Sequence, residues 1–156
     1  GTSVLVDELF ARGHKLILND ISDEALNKLR RRIGMNERLT WLHHDISHPL
    51  PSGMPPVDIW IDRAVLHFLL EEADIQGYFT NLHSAIHAGG YVLLAEFSVA
   101  GAPTCAGLDL HRYSVEEMTE RMGTDFELVK HEDYTFITPF GDLRPYIYAL
   151  YSKRND

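Results

Sequence analysis

The residue pattern of this sequence predicts an α/β fold built on a mostly parallel sheet that ends in an antiparallel hairpin. Three observations carry that expectation. Short apolar runs alternate with amphipathic helical segments through most of the chain. Three of those runs end on an acid: Leu16-Ile17-Leu18-Asn19-Asp20, Leu39-Thr40-Trp41-Leu42-His43-His44-Asp45 and Val57-Asp58-Ile59-Trp60-Ile61-Asp62. The final two runs flank the turn Pro139-Phe140-Gly141-Asp142 with no helix between them. Carboxyl ends of strands in open parallel sheets line the ligand crevice, so acids at three such ends suggest a ligand rich in donors.

Taken in order, Ser3 to Arg12 reads as a helix with Leu5/Leu9 and Val6/Phe10 as i,i+4 pairs, ended by Gly13. A strand follows over His14–Asp20. Ser22 is placed to cap the next helix, with Asp23 and Glu24 in its first turn and Arg30, Arg31 and Arg32 in its last, an order that complements the helix dipole. Leu26, Leu29 and Ile33 form its buried stripe. Leu39–Asp45 is the second strand and Pro49–Pro56 a loop. After the strand Val57–Asp62, the spacing of Ile75, Phe79, Leu82 and Ile86 predicts a helix over Asp74–Ala88, stopped by Gly89-Gly90 before the strand Tyr91–Phe97. Ser98–Leu110 reads as a long loop. Ser114-Val115-Glu116-Glu117 is a capping box opening a short helix. Phe126–Ile137 and Leu143–Ser152 are the two strands of the closing hairpin.

At 156 residues the chain fits one domain, 1–156, with room for a core. Acidic interruptions leave no apolar run of the ~20 residues a membrane span needs. A net charge of −9 disfavours a nucleic-acid backbone as partner and favours a small molecule. The single cysteine, Cys105, excludes an internal disulfide and suits a cytoplasmic location.

In order and spacing, four segments resemble class I S-adenosylmethionine-dependent methyltransferases. They are Leu18-Asn19-Asp20-Ile21-Ser22, His44-Asp45-Ile46, Asp58 to His67, and Ala88-Gly89-Gly90-Tyr91-Val92-Leu93-Leu94. The terminal hairpin is similar to the reversed last strand of that family. The resemblance implies a three-layer Rossmann-like sheet and S-adenosylmethionine as cofactor. Asp20 would then accept both ribose hydroxyls, which suits a group that only accepts. Asp45 would take the adenine amino group, with Ile21 and Ile46 flanking the ring. Asp62, Arg63 and Ala64 would border the methionine end. Gly1 would belong to the glycine-rich turn, of which Gly1-Thr2-Ser3 resembles only the tail, so the N-terminal strand of the family is expected to be missing. Strand edges left unpaired would be costly when buried and would favour a homodimer formed by edge pairing.

On the acceptor side, His67 and Tyr113 are candidate bases and Arg112 a candidate for holding an anionic group. Each feature has a simpler alternative. Asp20 and Asp45 also suit turns, and Asp62-Arg63 a local ion pair. His83 and His87 at i,i+4 can share a metal, but without a motif glutamate a solvated helix face and no metal are expected. His43 and His44, adjacent on a strand, point to opposite faces. Two other functions compete with methyl transfer to a small molecule: a non-catalytic binding or assembly domain, and a nicotinamide-dependent oxidoreductase, for which an acid after the second strand is equally suitable.

Overall fold

A computed structural model of the chain describes residues 3–105 and 107–155, so Gly1 lies outside the described residues. The chain forms two compact units, Gly1–Leu50 and Pro51–Asp156. Among the described residues no helix is long and apolar enough to cross a membrane.

In the first unit the order is α1 (Leu5–Ala11), β1 (Leu16–Asp20), α2 (Asp23–Ile33) and β2 (Leu39–His43). β1 and β2 pair in parallel from Leu16 opposite Leu39 to Asp20 opposite His43. Both strands are shorter than expected, because His14, Lys15, His44 and Asp45 fall outside the ladder. α2 starts where the Ser22 hydroxyl accepts the Ala25 N–H and stops at Gly34, whose φ of 79° favours glycine. It buries Leu26 and Leu29. α1 buries none of its residues and is tied down by polar contacts. The Arg32 guanidinium donates to both Asp7 carboxylate oxygens at 3.0 and 2.6 Å. The N-cap of α1 is Val4, while the Ser3 hydroxyl accepts from the Leu5 N–H.

The second unit runs β3 (Val57–Arg63), a 3-10 turn (Leu66–Phe68), α3 (Glu72–Ala85), β4 (Ile86–Phe97), β5 (Thr104–Cys105), β6 (Leu108–Asp109), α4 (Val115–Met122), β7 (Phe126–Ile137) and β8 (Leu143–Lys153). Four strands form a sheet in the order β3-β4-β8-β7. β3 is parallel to β4, whereas β8 is antiparallel to both of its neighbours. Alternation sorts the side chains of each strand between two faces. Val92, Leu94 and Glu96 of β4 and Ile147, Ala149 and Tyr151 of β8 are buried. They share their layer with Ile75, Tyr78 and Leu82 of α3 and Met118 and Met122 of α4, all fully buried. On β3, Ile59 and Ile61 alternate with buried Asp62 and are largely exposed.

Two expectations are corrected here. α3 ends at Ala85, and β4 begins at Ile86 and runs through Gly89 and Gly90. The Lys153 ammonium donates to the carbonyls of His83 and Ile86 at 2.8 Å each, satisfying acceptors at the end of α3. Ile86 pairs with Val57 and Tyr91 with Ile59, so the residues between bulge out. The imidazole of His87 closes this bulge on Asp58 at 2.7 Å. The loop expected over Ser98–Leu110 contains the small hairpin β5–β6.

The β7–β8 hairpin projects past the rest of the sheet. β4 makes its last pairing at Phe97 opposite Tyr146, but β7 and β8 stay paired as far as Ile137 opposite Leu143.

A Cβ on Gly90 would sit 3.0 Å from the carbonyl oxygens of Asp58 and His87, whereas one on Gly34 would meet nothing within 4 Å. Gly90→Ala is therefore expected to cost ~1–3 kcal/mol by crowding backbone. Gly34, at φ 79° and ψ −176°, holds a conformation essentially reserved for glycine, so Gly34→Ala is expected to cost ~1–3 kcal/mol by backbone strain alone. Urea midpoints of the two variants check both costs, and an unchanged midpoint for Gly90→Ala would contradict the bulge geometry.

Candidate active site

The first unit brings two of the expected acids to one edge. Asp20 is the last residue of β1, and its carbonyl accepts the His44 N–H at 3.1 Å, which fixes the chain leading to Asp45 beside it. Asn19 reinforces this junction by donating to the carbonyls of Leu42 and His44. The Asp20 carboxylate accepts the Ser22 N–H at 2.8 Å, which holds it at the strand end above the start of α2. Asp45 accepts from the backbone N–H and the hydroxyl of Ser47, and these bonds hold its pKa below the ordinary carboxylate value. Ile21, next to Asp20, is 68% exposed, and Ile46 is half-buried. His43 and His44 engage different carbonyls, those of Ile21 and His48.

In the second unit, β3 ends in a tight polar turn. Asp62 is buried, and its carboxyl group takes the N–H groups of Val65 and Leu66 and the hydroxyl of Tyr78, the last at 2.7 Å. Trp60 donates its indole N–H to the same Tyr78 oxygen. The turn places Ala64 at φ 67°, unusual for a residue with a Cβ, and its N–H reaches the Ala95 carbonyl. Burial pushes the Asp62 pKa up to about 8 against the hydrogen bonds that favour its charged form.

Arg63 follows the alternation and points away from Asp62. Its guanidinium lies 5.5 Å from the Tyr146 ring centre, and Nε donates to the Tyr148 hydroxyl at 3.3 Å. Alternation along β3 is the signal that distinguishes these two neighbours.

The candidates His67 and Tyr113 are both fully buried. His67 Nδ1 lies 2.7 Å from Glu96 Oε2 and also accepts the Phe97 N–H at 3.4 Å. An Nδ1 that accepts is unprotonated, so the pair is neutral, with the Glu96 carboxyl donating. Burial pushes His67 down to about 4 and Glu96 well up, consistent with this assignment. Burial also raises Tyr113, whose hydroxyl has no partner among the described residues. Arg112 is braced onto the carbonyls of Val99 and Gly101 at 3.2 and 2.8 Å. His83 and His87, expected on one helix, fall on α3 and β4, because the helix ends between them. Sequence reading missed Glu96, Tyr78 and Arg144, although an acid within the run Leu93-Leu94-Ala95-Glu96-Phe97 was a visible signal.

Asp62 titrates near 3.8 when unfolded and at about 8 when folded. The folded state therefore holds the extra proton in that window, and stability falls as pH rises through it. His67 has the opposite effect, confined to the interval between about 4 and 6.5. Between pH 6.5 and 8 the acid contribution remains, and Asp62→Asn should flatten the decline by up to ~1.4 kcal/mol per pH unit. Urea unfolding of both proteins across that range checks this; parallel curves would contradict a protonated Asp62.

Residues 1–94 match the profile of a family described as a methyltransferase domain. No curated protein matches the chain in sequence. Several solved structures share its fold. The N-methyltransferase NodS from Bradyrhizobium japonicum WM9, in complex with S-adenosyl-L-homocysteine, has a TM-score of 0.77 at 13% identity, over 99% of this chain and 74% of its own. A 1,6-didemethyltoxoflavin-N1-methyltransferase from Burkholderia thailandensis has a TM-score of 0.74 at 18% identity, over 99% and 68%. A SAM-dependent methyltransferase from Methanosarcina mazei has a TM-score of 0.80 at 14% identity, over 100% and 90%. The profile match spans more than half of the residues and includes Asp20, Asp45 and Asp62, and the fold likeness extends over the remainder: the chain belongs to the methyltransferase domain family.

Proposed function

We propose that the protein transfers a methyl group from S-adenosylmethionine to a small-molecule acceptor. The observation that carries this reading is the shared carboxyl edge of β1 and β2, where Asp20 and Asp45 stand beside the exposed Ile21. Two acids and an apolar cover match the chemistry of an adenosine: donors on the ribose and on the adenine amino group, and a flat ring between. NodS binds S-adenosylhomocysteine, and the Burkholderia enzyme binds that product together with 1,6-didemethyltoxoflavin, a small molecule. The family match covers the first unit and continues into the second as far as residue 94, which supports reading 1–156 as one methyltransferase domain. It leaves the nicotinamide alternative without support.

When bound, S-adenosylmethionine supplies a methyl group activated by its sulfonium. Asp20 would hold the ribose hydroxyls and Asp45 the adenine amino group, and Ile21 and Ile46 would cover the ring. In the second unit, Ala64 and the turn held by Asp62 are the groups the resemblance would assign to the methyl-bearing end, with Arg63 assigned to the acceptor. Displacement in line with a leaving sulfur needs mainly positioning, and a base only where the acceptor must lose a proton. His67 and Tyr113, sealed in the interior, act by holding the strand ends, and Arg112 by bracing the loop after β4.

Isothermal calorimetry with S-adenosylhomocysteine tests the reading. Saturable binding is expected, and Asp20→Asn should raise Kd roughly tenfold or more, the size of a lost charge-assisted hydrogen bond. No saturable heat, or an unchanged Kd in Asp20→Asn, would refute it.

A further inference from the structure

The projecting part of the β7–β8 hairpin carries an unusual set of side chains on one face. The register places Phe136 opposite Arg144, Tyr134 opposite Tyr146, and Glu132 opposite Tyr148. Strand alternation puts these three pairs on the same side. The Tyr146 ring packs on Phe97 at 4.8 Å, and Tyr134 meets Tyr148 edge-on at 6.2 Å. Arg63 reaches this face from the end of β3. Arg144 reaches it from the hairpin, and its Nη1 donates to the Cys105 thiol at 3.3 Å.

Neither arginine has an ion-pair partner among the described residues. This contrasts with Arg32, on Asp7, and with Arg121, which holds Glu72 and Glu117. The acid on the same face, Glu132, is engaged by Lys130 at 3.3 Å. In a chain of net charge −9, two guanidiniums held by tyrosines and a thiol beside an aromatic surface are placed for an external anion. Glu132, on the same face, opposes a ligand that carries a second negative charge.

We propose that this face is the acceptor site and that the acceptor is a small aromatic monocarboxylate. Its ring lies among Phe136, Tyr134 and Tyr146, and its carboxylate is taken by Arg63 and Arg144. The assignment rests on the methyltransferase reading for the word acceptor; the binding site itself stands on the geometry of the second unit alone.

Ligand-observed NMR on the 156-residue chain tests it with three probes: benzoate, the neutral benzamide, and the non-aromatic cyclohexanecarboxylate. Benzoate should bind at least about tenfold more tightly than benzamide, the scale of one charge-assisted hydrogen bond. It should also bind more tightly than cyclohexanecarboxylate, which lacks the ring. Arg63→Gln and Arg144→Gln should each weaken benzoate about tenfold and leave benzamide unchanged. Tyr134→Ala, at a side chain on a 52% exposed residue where folding is not at stake, should weaken benzoate and benzamide together. Equal binding of benzoate and benzamide, or arginine variants indistinguishable from the parent, would overturn the site. S-adenosylhomocysteine titrated into the same samples separates the two ideas. Selective benzoate binding without it would sustain the site and overturn the cofactor reading; its binding without benzoate selectivity would do the reverse.

Discussion

The buried carboxyl group of Asp62 is the constraint on which the second unit's functional edge depends. It closes the exit of β3 by taking two N–H groups of the following turn and the Tyr78 hydroxyl. Three bonds to one side chain fix both where the strand stops and how the chain leaves it. Ala64 is held in a left-handed conformation because its neighbours are anchored on either side. Arg63, the residue between the anchor and that turn, is thereby obliged to face Tyr146 and Tyr148.

A second polar pair reinforces the same edge from β4. Glu96 meets the ring of His67 and also accepts the His67 backbone N–H at 3.1 Å, joining the strand end to the 3-10 turn. Shared between uncharged groups, such a contact avoids the desolvation penalty of a buried ion pair while keeping its direction. Packing of His67 on Phe97 at 4.9 Å extends the rigidity to the aromatic cluster. The edge is therefore specified by hydrogen bonds as much as by apolar packing.

Much of this was legible in the sequence because it is written locally. Ser22 and Ser114 announce their helices by a hydroxyl that takes an N–H three residues on. The acids at the ends of β1 and β3 sit where apolar runs stop, and Asp45 lies two residues beyond β2. The turn at Pro139–Asp142 marked the hairpin. What could not be read depends on partners distant in the chain. α3 ends early because Lys153, some seventy residues away, takes its last carbonyls. In the capping box at Ser114, the Glu117 carboxylate is drawn instead to His111 and Arg121. The family resemblance groups Arg63 with Asp62, yet a strand sends neighbours to opposite sides. Arg144 gives no local signal, since its contact is with Cys105, far off in the chain.

The reversed direction of β8 has a consequence for how such a protein diversifies. Because that strand runs antiparallel to β4, its early residues Tyr146 to Tyr148 arrive beside β4's final positions, Phe97 to Ala95. The acids proposed to hold the nucleoside, Asp20 and Asp45, come before residue 50. On that proposal, changes in the tail could suit a different acceptor while leaving those two carboxylates in place, a division of labour set by the order of the polypeptide.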